Sequence, residues 1–399
     1  MVKLLIILVI ILSAIAIGQL ARVHELNSLL RGRREENIPE KANRLNGRLF
    51  FAFMIALYLF FLWQVVEYGD ELLHIPASKH GIKLDNVLYF NYVIIILIFL
   101  ITNTFLFYFA YRYYGKDNGS AYYYPENNKL EMIWTIVPAI FLAIIIIYGL
   151  VAWDNIIMDK PKKDSIKVEL YGKQFDWTAR YPGEDGKLGK TNFNLVSPQN
   201  PLGIITKENI KSQLESINKE IDEAKAKLEE KRQMLPENKI NELEETIKSK
   251  KRQRVRIHRL KNSDKEFKNG YDDKLVKGEF HLPVDKQVSF QIRSRDVIHS
   301  AYMPHFRAQM NAVPGIKTKF KYTPIITTEE MKKKKNDPEF EYMLICNKIC
   351  GTAHYNMKMK IVVEEKKKYN NWLNKQKPFS EKLGLNKGNS KKETELAKK

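Results

Sequence analysis

The stretch Cys346 to Met357 reads CNKICGTAHYNM and holds both cysteines of a 399-residue chain, with a histidine four residues after the second and a methionine three beyond that. Thiolate, imidazole and thioether are the soft and borderline donors that suit copper. One Cys with His and Met describes a mononuclear site, whereas two Cys in one loop can share their sulfurs between two copper ions. The competing reading is a structural disulfide between Cys346 and Cys350, the usual fate of paired thiols on an oxidising side of a membrane. The CxxxC spacing alone does not exclude it, but the company of His354 and Met357 argues against it.

One loop cannot surround two metals, so a second imidazole must come from elsewhere in the chain. Of eight histidines, His24, His74 and His80 fall in or beside strongly apolar segments, His258 lies in a charged helical stretch and His281 starts a strand. His299 and His305 remain, both in RDVIHSAYMPHFRAQMNAVPG. Either one alone would more often be an ordinary core or surface histidine.

The elements that must position these residues follow from periodicity. Alternation at Ile166, Val168, Leu170 and at Val288, Phe290, Ile292 has the period of half-buried strands, and similar strands are expected at Phe320–Tyr322, Glu341–Ile345 and Met357–Val363. The cysteine motif then sits in a loop between two strands of an antiparallel sandwich or barrel. Between the strands, Ile210, Leu214, Ile217, Ile221, Ala224 and Leu228 repeat at spacings that make a heptad seam. A turn at Met234–Asn238 and a second seam from Ile240, Leu243 and Ile247 complete an antiparallel helical hairpin inserted in the β domain. Its basic stretch KSKKRQRVRIHR, Lys248 to Arg259, is a solvated face or a contact for lipid or a neighbouring subunit. The Lys-rich tail from Lys366, with Trp372 as its one aromatic anchor, is expected to be largely disordered.

The apolar residues crowd into the first 153 positions, in four runs: Leu4–Ala21, Leu49–Val66, Val87–Tyr111 and Met132–Trp153. Each approaches the ~20 residues a helix needs to cross hydrocarbon, although the first also has the form of a secretory signal. The connection after the first run carries Arg22, Arg31, Arg33, Arg34, Lys41, Arg44 and Arg48, and the next carries only Lys79 and Lys83. Basic short loops stay in the cytoplasm. Four retained helices therefore place both termini, and everything after Trp153, outside. Residues 154–399 hold 53 Lys and Arg against 35 Asp and Glu. That charge suits anionic lipid headgroups or acidic proteins, and a domain facing away from the cytoplasm makes nucleic acid a poor partner.

DVIHS followed by VPG and then CNKICGTAHYNM resembles subunit II of the haem–copper cytochrome c oxidases, whose binuclear copper centre is called CuA. KLEMIWTIVPAIFLAI at Lys129–Ile144 is similar to that family's second membrane helix, and YGKQFDWTARYP at Tyr171–Pro182 to its aromatic stretch. The resemblance covers roughly 87–204 and 271–365. It implies a membrane-anchored, all-β outer domain, cupredoxin-like, with the helical hairpin as an insertion. The divisions are an extra segment over 1–86, a transmembrane hairpin over 87–153, the sandwich over 154–206 and 262–365, the arm over 207–261 and the tail over 366–399.

Carried over by position, the resemblance implies two copper ions held by His299, Cys346, Cys350, His354 and Met357, with the carbonyl of Lys348 as a sixth donor. It implies electrons from cytochrome c, passed to haem in subunit I, where oxygen is reduced with proton translocation. The setting is a bacterial cytoplasmic membrane crossed several times, with the copper domain on the periplasmic side. Three positions depart from the family's pattern. Phe175 stands for the usual tryptophan where electrons arrive, so Trp177 or another surface aromatic serves instead, with Phe175 itself the other candidate; Lys348 stands for a carboxylate that helps bind an interfacial magnesium; and Asn311 stands for an aspartate. A membrane-anchored copper chaperone also uses CxxxC with a distant His, but resembles thioredoxin, puts Pro after the second Cys and lacks the HxxM ending. No CxxCH motif occurs, so a separate cytochrome must bring the electrons.

Overall fold

The computed structural model describes residues 2–30, 39–116, 119–120, 122–232, 234–260, 267 and 269–384. It divides into two compact units, residues 1–73 with 89–143, and residues 74–88 with 144–399.

The first unit contains α1 (Val2–Leu30), α2 (Glu40–Tyr68), most of α3 (Lys79–Arg112) and the first part of α4 (Asn128–Trp153). Among the described residues three helices are long and apolar enough to span a bilayer, Glu40–Glu71, Lys79–Arg112 and Asn128–Met158. Their outward side chains are apolar because hydrocarbon, not water, is the solvent they fit. α2 and α3 pack together where Gly47 faces the backbone of Ala110 and Tyr111, so close that an added Cβ would sit 3.3 Å from each. Phe51 then meets Tyr111 with ring centroids 5.0 Å apart, and Tyr58 donates its hydroxyl to the Leu100 carbonyl at 2.9 Å, a bond that matters more where no water competes. Arg31, Arg33 and Arg34 of the basic connection lie outside the described residues.

The second unit is built on two five-stranded sheets. One has the order β3-β2-β1-β5-β8, with β1 Ile166–Lys173, β2 Asp176–Tyr181, β3 Lys274–Lys277, β5 Val288–Ser294 and β8 Thr318–Tyr322. The other has the order β4-β10-β9-β6-β7, with β4 Glu279–Pro283, β6 His299–Met303, β7 Ala308–Ala312, β9 Tyr342–Cys346 and β10 Lys358–Glu364. Their inner faces enclose Val168, Leu170, Phe290 and Ile292 from one side and Phe280, Leu282, Leu344 and Ile361 from the other. The alternation of β5 is reflected in its burial, every second residue from Val288 to Ser294 being enclosed.

The sandwich is not wholly antiparallel as expected: β1 pairs in parallel with β5, and β10 with β4. Helices make up more than half of the described residues, so all-β describes the two sheets and not the chain.

Strand β1 is enclosed on both faces because a further layer covers its outer side. There Glu169 sits between Arg180 (2.6 Å) and Arg293 (2.6 Å), and Arg180 also reaches Asp273 at 2.8 Å. Burial pushes the Asp273 carboxyl up to about 7 against the pull of Arg180. At Glu169 burial is outweighed by the two guanidinium groups, which hold its carboxyl below the usual range.

Between β2 and β3 rise α5 (Lys207–Lys231) and α6 (Glu237–Leu260). Thr206 caps α5, its hydroxyl accepting from the Asn209 N–H at 3.1 Å. Ile210, Ile217, Ile221 and Ala224 of α5 close on Ile247 and Ile257 of α6, over a base of Leu195 and Ile205.

The tail differs from expectation. Lys366–Lys375 forms α8 and Phe379–Lys382 forms α9, after α7 at Thr328–Lys335. Trp372 stacks on the His281 ring at 4.1 Å and 11°, and Phe379 is fully enclosed beside Leu202 and Ile204. With Tyr369, buried in the main core against Tyr181, three aromatic side chains thus anchor a segment whose lysines read as unfolded. Residues 385–399 lie outside the described residues.

Candidate metal centre

Antiparallel pairing of β6 with β9 sets Ala301 opposite Cys346, so the start of β6 and the end of β9 emerge at the same end of the sandwich. His299 opens β6, and Cys346 closes β9. The loop between β9 and β10 is pinned at its mouth, the Cys346 N–H donating to the Met357 carbonyl at 3.0 Å and the Asn347 N–H to the Ser300 carbonyl at 3.1 Å.

Within this frame the thiols are free and buried, with sulfurs 3.9 Å apart. A disulfide needs about 2.05 Å. Two thiolates sharing one tetrahedral ion at ~2.3 Å are ~3.8 Å apart. The ring nitrogen Nδ1 of His299 lies 3.8 Å from the Cys346 sulfur, and one donor atom each from His299, Cys346 and Cys350 falls within 4.8 Å of the others. Nδ1 of His354 stands 3.5 Å from the Cys350 sulfur, and Sδ of Met357 3.8 Å from it. The carbonyl oxygen of Lys348 is 3.3 Å from the Cys346 sulfur, while the Lys348 side chain is exposed. Six donors of four chemical kinds therefore converge, and the set fits copper. Burial, and next the neighbouring Cys346, push the Cys350 thiol up to about 11. A metal binding here displaces protons, since thiolate is the ligand form.

Asp296 has a part that sequence reasoning missed. Its carboxylate accepts from Nε2 of fully buried His299 at 2.8 Å, which leaves Nδ1 as the nitrogen turned to the sulfurs. Burial raises the cost of its charge, but the Gln174 N–H at 2.8 Å and the His299 ring outweigh it and hold Asp296 below the usual carboxylate range. The signal was the Asp-x-x-His spacing of DVIHS. Gln174 also donates its side-chain amide to the Cys350 carbonyl, tying the β1–β2 turn to the ligand loop.

Two glycines permit the crowding. Gly351 adopts φ +141°, and a Cβ there would lie 2.8 Å from the Phe175 ring and 2.9 Å from the Gln174 amide. At Gly172 a Cβ would meet Trp177 at 2.9 Å and His299 at 3.2 Å.

The two aromatic candidates separate. Phe175 is half-buried against Gly351 at the ligand end. Trp177 is fully enclosed, its ring 6.0 Å from that of His299, so it is no surface aromatic: β2 turns it into the core. His305 lies beyond β6, away from the thiols, and stacks on His74 at 4.6 Å. Burial, then His74, Lys335 and Arg307 push it down to about 3, so it stays neutral. Asn311 lies on β7 opposite Ser300.

Two family profiles match, described as cytochrome c oxidase subunit II, transmembrane domain, over residues 76–151, and periplasmic domain, over residues 260–366. The alternative cytochrome c oxidase subunit 2 of Bradyrhizobium diazoefficiens is 27% identical over 330 residues, 81% of this chain and 93% of that one. The cytochrome c oxidase subunit 2 of Cereibacter sphaeroides is 23% identical over 71% of this chain and 73% of its own. Among solved structures, the periplasmic domain of subunit II of cytochrome oxidase of Bradyrhizobium japonicum aligns with 54% of this chain and 95% of its own, at 17% identity and a TM-score of 0.27.

Proposed function

We propose, because the chain belongs to the cytochrome c oxidase subunit II family, that its copper centre is binuclear and that it relays electrons from a cytochrome to haem in subunit I. The observation that carries this is the pair of buried free thiols 3.9 Å apart, flanked by the His299 and His354 imidazoles and the Met357 thioether. Copper held by these donors would supply one-electron transfer, and the two thiolates would let the charge spread between two ions so that little rearrangement accompanied it.

The chain's own groups do the rest. Cys346 and Cys350 would hold the metal by their thiolates, His299 and His354 by one imidazole each, and Met357 and the Lys348 carbonyl as the weaker donors. Asp296 fixes the tautomer of His299. The sheet bonds at Cys346 and Asn347 hold the donors in one arrangement, which favours transfer in both directions. Val297, Ile298, Ile349 and Tyr355, on the two loops that carry the donors, are exposed apolar side chains suited to burial against another oxidase subunit. Phe175, at the same end and half-buried, is the better placed of the two aromatics for receiving electrons.

In this reading the protein crosses the bacterial cytoplasmic membrane four times, with α1 as the additional span and the copper domain in the periplasm. The strong positive charge of residues 154–399 favours a donor that is an acidic cytochrome, or a cytochrome domain held nearby by the membrane or a larger complex. Copper analysis with EPR tests the centre: two coppers per chain with a mixed-valence signal are expected. One copper per chain, or a Cys346–Cys350 disulfide in copper-loaded protein, overturns it.

A further inference from the structure

The arm buries one stripe of α6 against α5 and leaves a second stripe open. Leu243, Ile247 and Ile257 face α5, whereas Glu244, Lys248, Lys251, Arg252 and Val255 line a shallow groove on the outward side, floored by the edge of Ile247. Glu244, Lys248, Lys251 and Val255 repeat at spacings of four, three and four, so they share one face of the helix. Val255 is 50% exposed at the C-terminal end of the groove.

Charge says what fits. From Thr246 to Leu260 the helix carries seven Lys and Arg and no Asp or Glu. Glu245 reaches Lys248 at 3.3 Å and Arg252 at 4.0 Å, and Glu220 of α5 takes Lys250. Among the described residues these two carboxylates are the partners of Lys248, Lys250 and Arg252, and Glu244 in the groove itself is held by Arg232 at 3.7 Å, so the three cations of the lining outnumber its one carboxylate. A second copy of α6 laid parallel would bring cations against cations, which is costly, and laid antiparallel it would offer mainly Glu242, Glu244 and Glu245, which Lys239, Arg232 and Lys248 already hold within the arm. The chain's own last fifteen residues carry five Lys against two Glu, so they are repelled too. A lipid surface is a poorer match, since α6 has no aromatic side chain and one exposed valine where an interfacial helix carries Trp, Phe or Leu.

We propose that the outward stripe of α6, closed at one end by the exposed Val255 and rimmed by Lys248, Lys251 and Arg252, is the docking site for an acidic amphipathic helix of another protein. The partner's apolar residues seat between Ile247 and Val255, its Glu or Asp side chains flank them, and the arm becomes a three-helix coil. The groove supplies register and the cations supply attraction and selectivity. This surface shares no residue with the copper donors, so it brings a partner to the oxidase independently of the centre.

The test uses the assembled oxidase in its own membranes, with a photoreactive benzoylphenylalanine in place of Val255. Irradiation and mass spectrometry of the adduct are expected to return a peptide from an acidic helical segment. The double change Lys251→Glu with Arg252→Glu should lower the adduct yield at least about tenfold, with copper content and the optical spectrum unchanged. An adduct to lipid, to a second copy of this chain or to a basic segment overturns the proposal. So does an acidic adduct whose yield ignores the charge reversal. If the centre proves not to be binuclear, the copper readout fails while the adduct still forms, so the two readings fail separately.

Discussion

Replacing Asp296 by alanine tests whether the centre depends on a residue that holds no metal. His299 is fully enclosed and its Nε2–H has the Asp296 carboxylate at 2.8 Å as partner. Alanine leaves that N–H buried and unpaired, at a cost of about 1–3 kcal/mol. It also frees the ring to turn Nδ1 away from the Cys346 sulfur. Loss of such a partner weakens metal binding by about 10–100-fold, and the two figures agree, since 1.4 kcal/mol is about tenfold. Asp296→Asn keeps an acceptor in place without the charge, so it should fall less than about tenfold. The assay is copper competition against a chelator of known affinity, with circular dichroism to show that the sandwich remains folded. Folded Asp296→Ala protein within twofold of the unmodified affinity would refute the argument, because His299 would then need no orienting partner.

Gly351→Ala should destabilise the protein by about 1–3 kcal/mol through its left-handed φ alone, with more from the clash against Phe175; adding Phe175→Ala should recover only the clash, as read by denaturant titration. Asp273 has a folded pKa raised to about 7 above an unfolded value near 3.9. The stability linked to it is therefore full below about pH 4 and lost as pH rises through 7. Asp273→Asn lacks that loss, so its melting temperature relative to the unmodified protein should be higher at pH 8 than at pH 5. Lys348 offers an interfacial divalent ion no carboxylate. Oxidase from manganese-grown cells should show no Mn signal from this loop, and Lys348→Glu should bring one in.

Periodicity revealed the strands because β5 alternates against a single core, and it revealed the arm because α5 and α6 bury one heptad stripe each. It could not show that β1 pairs in parallel with β5, since alternation reports which face is buried and not which strand lies alongside. The tail misled because composition averages over lysines, while Trp372 and Phe379 act singly. The donors of the ligand loop were visible as residue types at a spacing, but their distances depend on Gly351 and on the Gln174 amide, contacts across about 175 positions of chain. Trp177 looked available because alternation does not say which phase of β2 faces the core.

The pairing of β2 with β3, Arg180 opposite Leu275, spans a long detour of chain. Joining strand ends across residues 182–273 would ordinarily be a slow search, since separation in sequence governs folding speed more than stability. The arm shortens that search. Helices form locally and fast, and a closed hairpin returns the chain at Leu260 to where it left at Lys207. What remains to be ordered is less than half of the detour, an entropic saving of about 0.8 kcal/mol by loop-length scaling. An insertion shaped as a self-closing hairpin can therefore be accepted between paired strands of a sandwich whose metal-holding end must assemble in one register.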